Sequence, residues 1–169
     1  RARKGGRGPG PRTRMTGIVV IAHAPLATAL GECVEHVYSC EPGVTRREVR
    51  LLDVSSSEKF EETVARARAL VREVDGGHGV LVLTDAFGAT PGNVATQLAE
   101  PGRVAVVAGV NLPMLLRAVC YRAGPLAELV TKAMAGGEQG IVQVGGSTAV
   151  QNQANKRAGD DQQRVQDQQ

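Results

Sequence analysis

The segment that most limits what this chain can become is residues 79–93, GVLVLTDAFGATPGN. Val80–Thr84 is a β-rich apolar run of the kind buried on both faces in a parallel sheet. The run stops at Asp85, passes through a small-residue loop (Phe87, Gly88, Ala89, Thr90) and meets Pro91. Thr followed by Pro marks a helix start: the hydroxyl caps an unpaired amide, and Pro sits where no donor is needed. Strand, carboxylate and helix start, in that order, place Asp85 at the carboxyl end of a central strand. Ligands of open α/β sheets sit along that edge. A second apolar run, residues 17–22 (GIVVIA), ends at His23 and delivers an imidazole to the same edge.

The remaining segments continue the alternation. Pro25 opens a helix to about Tyr38, with Leu26, Leu30, Cys33 and Val37 on its apolar face. Residues 41–45 form a Pro/Gly turn and Val49–Val54 a short strand. Ser55 and Glu58 have the spacing of a capping box for the next helix. Phe60, Val64, Ala67, Val71 and Val74 form that helix's core stripe, and DGGHG (residues 75–79) turns the chain. After the central strand come a helix from Pro91 to about Ala99, a strand Val104–Ala108, and a helix from Pro113 to about Arg122. A further helix spans residues 126–135 and ends at Gly136-Gly137; residues 140–144 read as a last strand. Four β-α units and a terminal strand predict an α/β fold. It is a doubly wound, mostly parallel open sheet with helices on both faces and a short C-terminal edge strand.

The ordered domain is expected over residues 15–145, with Met15 read as the natural start. Residues 1–14 are a basic Gly/Arg/Pro extension and residues 146–169 a Gln-rich tail; both are expected to be disordered. The extension distorts the charge. The whole chain carries a formal +3, but six basic groups and no acidic one lie in residues 1–14. Without them fourteen basic residues face seventeen acidic ones, a net of −3. Basicity is therefore no argument for nucleic acid. Aromatics at 2% and the absence of Trp argue against a stacking platform for bases or sugars. Three cysteines (Cys33, Cys40, Cys120) without a CxxC spacing favour reduced, partly buried thiols in a cytoplasmic setting over a disulfide framework or a metal site. No apolar run approaches the length of a membrane span.

Three loops collect at the carboxyl edge: AHAP, DAFGATPGN and GVNLP. None carries GxxxxGK[ST] or GxGxxG, so no nucleotide cofactor is implied. The constellation that remains is His23 with Asp85. An ordinary imidazole is partly neutral near pH 7, so one ring nitrogen can attack phosphorus. A carboxylate accepting from Nδ1–H sets the tautomer, exposes Nε2 and stabilises the ring as charge develops. Backbone amides and the Thr90 hydroxyl are placed to hold phosphoryl oxygens. Such chemistry needs no metal when the donor is itself a phosphohistidine. His36 reads as a surface histidine and His78 as a solvated turn residue. Asn111 reads as the cap of the Pro113 helix, and Arg46, Arg47 and Arg50 as a solvated face.

At IAHA (residues 21–24), TDAFGATPGN (84–93) and AGVNLPM (108–114) the chain resembles the mannose-family EIIA domain of the phosphoenolpyruvate-dependent sugar phosphotransferase system. The resemblance spans residues 15–144. It implies that His23 is phosphorylated, that Asp85 is its partner and that Thr90 contacts the phosphoryl group. It also implies HPr as donor, a separate IIB-type protein as acceptor, and a homodimer exchanging its C-terminal strand, for which residues 140–144 are the candidate. Ala24 and Ala89 stand where the family usually has Gly; each adds a methyl where the backbone approaches phosphate and disfavours positive φ. Two further readings share the edge: a regulator whose phosphorylation state controls partner binding, and a subunit relaying phosphate to a dihydroxyacetone kinase. A flavodoxin-like binder of a small ligand is a third class.

Overall fold

A computed structural model describes residues 15–38 and 49–144. The two tails and the turn at 41–45 lie outside the described residues, as do Cys40, Arg46 and Arg47. Four strands appear in the described chain: β1 (Gly17–His23), β2 (Val49–Val54), β3 (Val80–Thr84) and β4 (Val104–Ala108). Between and after them run α1 (Leu26–Val37), α2 (Phe60–Val74), α3 (Thr90–Thr96), α4 (Leu112–Tyr121) and α5 (Leu126–Gln139). The strand order is β2-β1-β3-β4 and every pairing is parallel. The expected doubly wound α/β fold is present.

Composition and position agree strand by strand. All of β3 and the first six residues of β1 are buried, as central strands covered on both faces require. Ile18, Val20, Ala22, Leu81 and Leu83 pack on one face with α1, α4 and α5 through Leu30, Val34, Leu115, Val119 and Leu129. Val19, Ile21, Val80 and Val82 pack on the other with α2 and α3 through Ala67, Val94 and Ala95, and with Leu98 just past the end of α3. On the edge strands β2 and β4, burial falls to one side in part.

Several local expectations are corrected. The buried side of α1 is Ala27, Leu30, Gly31 and Val34, whereas Leu26, Cys33 and Val37 face outward. Gly31 explains the rotation: a Cβ there would lie 2.3 Å from Leu51 Cδ1, so the helix turns its smallest residue to β2. Cys120 is exposed like Cys33, so neither thiol is partly buried. The Ser55–Glu58 capping box does not form. The helix starts later, after Lys59, and the Glu58 carboxylate accepts from the Thr63 hydroxyl (3.2 Å) and Arg66 (2.7 Å). Arg50, read as part of a solvated face, is paired with Glu73 at 2.7 Å.

Gly136-Gly137 does not end α5. The helix continues to Gln139, and both glycines are buried inside it. A Cβ on Gly136 would lie 2.7 Å from Arg117 Cβ, and one on Gly137 2.7 Å from Met114 Cε. These two positions let α5 approach α4 backbone-close, so their small size serves packing and not termination. Residues 140–144 correspondingly form no strand. A strand needs a partner ladder for its amides and carbonyls, and the ladders among the described residues are β1 with β2, β1 with β3 and β3 with β4.

Candidate functional site

The register of the sheet builds the site. Ile21 of β1 lies opposite Thr84 of β3, so the two strands run out within two residues of each other. His23 ends one, and Asp85 follows the other. Across 62 positions of sequence, His23 Nδ1 and Asp85 Oδ2 stand 2.7 Å apart. The His23 amide also donates to Asp85 Oδ2, at 3.0 Å, and the Ala86 amide donates to Asp85 Oδ1, at 2.9 Å. The imidazole side chain is 54% exposed and the carboxylate only 13%. One partner is held inside the rim and the other reaches into solvent.

This arrangement decides the protonation pattern. Partial burial by itself pushes the Asp85 carboxyl up, but hydrogen bonds from the His23 amide and ring and from the Ala86 amide outweigh it. The group is held below its ordinary value. An ionised carboxylate only accepts, so Nδ1 is the nitrogen that donates to it, and in the neutral form of the ring Nε2 carries the free lone pair. The ring is thus anchored through Nδ1, and Nε2 is the nitrogen that Asp85 does not engage.

Two neighbouring segments brace the pair. The Thr84 carbonyl accepts from the Gly109 and Val110 amides at 2.9 and 3.0 Å, so the loop after β4 is tied to the residue preceding Asp85. Asn111 caps α4 as expected, accepting from the Met114 amide at 2.9 Å; its amide group also donates to the Gly137 carbonyl, at 3.2 Å. Thr90 is the first residue of α3 and is exposed, but it is not the cap: Ala89 holds the N-cap position without a side-chain hydrogen bond. Pro91 therefore follows a helical Thr, one position later than the Thr-Pro reading implies.

The two alanines that replace glycine strain nothing. Ala89 has φ −83°, and no residue other than glycine has positive φ among the described residues. Positive φ in this loop falls on Gly88, at +82°. The close approach falls on Gly92, where a Cβ would lie 2.4 Å from the Ala86 carbonyl oxygen. Phe87 stands 90% exposed in the same loop. His36 is exposed, as expected, while His78 is half-buried and borders a hollow lined by Ala105, Pro125, Leu126 and Val130. No group of three His, Cys, Asp or Glu side chains among the described residues is arranged to hold a metal ion. No described helix is long and apolar enough to cross a membrane.

Sequence reasoning missed Asp53. It lies next to last in β2, opposite Ala22, and its carboxylate accepts from the Ala27 and Thr28 amides at 2.9 and 3.2 Å and from the Thr28 hydroxyl. The available signal was an acidic residue at the end of an edge strand beside a helix start with no Ser, Thr, Asn or Asp of its own at the N-cap.

Fold and site together define a class: a doubly wound parallel α/β protein presenting a carboxylate-oriented histidine at the carboxyl edge of its sheet. The family model for the fructose IIA component of the phosphotransferase system, EIIA-man, matches residues 17–135, and the chain belongs to that family. It is 31% identical over 93 residues to the mannose-specific EIIAB component of Escherichia coli K12, covering 53% of this chain and 29% of that protein. It is 28% identical over 109 residues to the fructose-specific EIIA component of Bacillus subtilis, covering 64% of this chain and 71% of that one. The chain thus spans under a third of the E. coli protein. Among solved structures, a phosphotransferase system EIIA component from Streptococcus agalactiae superposes with a TM-score of 0.64 at 28% identity, covering 76% of this chain and 97% of its own.

Proposed function

We propose that this protein is a phosphocarrier that takes a phosphoryl group from phospho-HPr onto His23 and passes it to a IIB-type acceptor. The observation that carries this reading is the 2.7 Å contact between His23 Nδ1 and Asp85, on an imidazole that is more than half exposed. The Nε2 lone pair attacks phosphorus in line. The bond from phosphorus to the donor's ring nitrogen breaks, and its electron pair returns to that ring. His23 becomes a cation on bonding, and the Asp85 carboxylate stabilises it through Nδ1–H. The amides of the loop after β3 and the Thr90 hydroxyl contact the phosphoryl oxygens. Positioning and oriented dipoles supply the catalysis, because phosphoryl transfer asks for little else. The onward step is the same displacement with the acceptor's His or Cys as nucleophile.

The reading carries a cytoplasmic homodimer with HPr and a separate IIB-type protein as partners. The relatives carry mannose- and fructose-specific names, so the family supports a sugar phosphotransferase role without selecting a sugar. The test is incubation with phosphoenolpyruvate, Enzyme I and HPr, followed by intact mass. An acid-labile gain of one phosphoryl group is expected. It is lost in His23→Ala and kept in His36→Ala and His78→Ala; labelling that survives His23→Ala overturns the assignment.

A further inference from the structure

We propose that Asp53 is a positioning residue for the His23 imidazole: by holding the first turn of α1 through Ala27 and Thr28, it keeps Nδ1 on Asp85. The inference rests on the phosphocarrier reading for its catalytic consequence, though not for its geometry.

His23 is the last residue of β1, and only Ala24 and Pro25 separate it from α1. A junction that short transmits any movement of the helix to the strand end. β2 clamps it from both sides. The Val54 carbonyl accepts from the Ala24 amide at 3.1 Å, just after His23, and the Asp53 carboxylate takes the Ala27 and Thr28 amides just beyond Pro25. The Thr28 hydroxyl, which donates to the second Asp53 oxygen, fixes the carboxylate's plane. Pro25 stands at the N-cap and makes no side-chain cap bond, so α1 has no local cap and depends on this one from 26 residues away.

The need follows from exposure. The imidazole is more than half exposed, so little packing holds the ring and its aim depends on the backbone beneath it. Both contacts from His23 to Asp85, through the amide and through Nδ1, require that backbone to stay at the end of β1. Asp53 also satisfies the amides of α1 with a charge of its own, which offsets the positive helix end there. An incoming phosphoryl group is thereby left to the loop after β3.

The test compares wild type, Asp53→Ala, Asp53→Asn and Thr28→Val. The 15N shifts of the His23 ring report the Nδ1–H tautomer without any phosphoryl transfer. In Asp53→Ala they are expected to move toward the averaged values of a free imidazole. The transfer rate at saturating phospho-HPr is expected to fall about tenfold with KM unchanged, the signature of a misaimed nucleophile. Asp53→Asn keeps an acceptor oxygen for the two amides and is expected to recover most of the loss. Wild-type shifts in a folded Asp53→Ala overturn the proposal. If that variant does not fold, Thr28→Val decides by the same shifts: movement supports the role and identity with wild type overturns it. A wild-type chain that takes no phosphoryl group sinks the phosphocarrier reading instead, and the nitrogen shifts still settle the role of Asp53.

Discussion

The junction after β1 and the junction after β3 lie side by side on one rim and solve the same problem in opposite ways. After β1 two residues lead into α1, and the helix is capped from outside by the Asp53 carboxylate. After β3 five residues lead into α3, whose N-cap, Ala89, makes no side-chain bond. The first junction is short, closed and neutralised; it fixes His23 at the end of β1. The second is longer and bends at Gly88, and its carboxylate, Asp85, is met by His23 from the neighbouring strand. The contrast teaches how a rim divides its labour: one turn holds a side chain still from outside, and the other leaves an open loop beside it, which on the proposed phosphocarrier reading would receive the transferred group.

Outside His23 itself, the largest effect that breaks this division is expected from Asp85→Asn. The amide oxygen still accepts from Nδ1–H, but the charge that stabilises the ring as a cation is gone. Phosphoryl transfer measured by stopped reaction and intact mass should slow on the order of a hundredfold. The same variant reads the pH dependence. The folded Asp85 carboxyl lies below its ordinary value, so its stabilisation is present above about pH 4 and is lost as pH falls through the folded value. Wild type should therefore lose melting temperature more steeply on acidification than Asp85→Asn does.

A smaller effect probes the second junction's backbone. Gly92→Ala places a methyl against the Ala86 carbonyl and should cost about 1–3 kcal/mol in urea unfolding. Thr84→Val sharpens the comparison from beneath. The Thr84 hydroxyl is buried and has no hydrogen-bond partner, so an isosteric apolar side chain should stabilise the fold by roughly 1 kcal/mol. The smallest change is Ala89→Gly. Ala89 already has an ordinary negative φ, so glycine there should lower stability by about 0.5 kcal/mol and leave the transfer rate where it was.

Much of this arrangement was legible in the chain because its signals are local. Unbroken apolar character marked residues 17–22 and 80–84 as central strands, and the residues just past them became site candidates by position alone. Asn111 announced itself as a cap by its place two residues before Pro113. The misreadings share one cause. Periodicity points to the face of α1, a capping-box spacing to the start of α2 and breaker residues to the end of α5. Their outcome is set instead by what each meets: Leu51 against Gly31, Thr63 and Arg66 on Glu58, Met114 against Gly137. Thr90 was read as a cap on its own chemistry, but the loop's path gave that position to Ala89.

By itself the sequence determined which strands lie at the centre and which side chains leave their carboxyl ends, since burial on both faces demands continuous apolar residues and helix starts follow from neighbouring residues. Tertiary structure alone decided that His23 meets Asp85 through both its amide and its ring, and that Asp53 caps a helix belonging to another segment. Periodicity and capping act over a few residues, whereas a contact between positions 62 apart exists only once the strands have paired in a particular register.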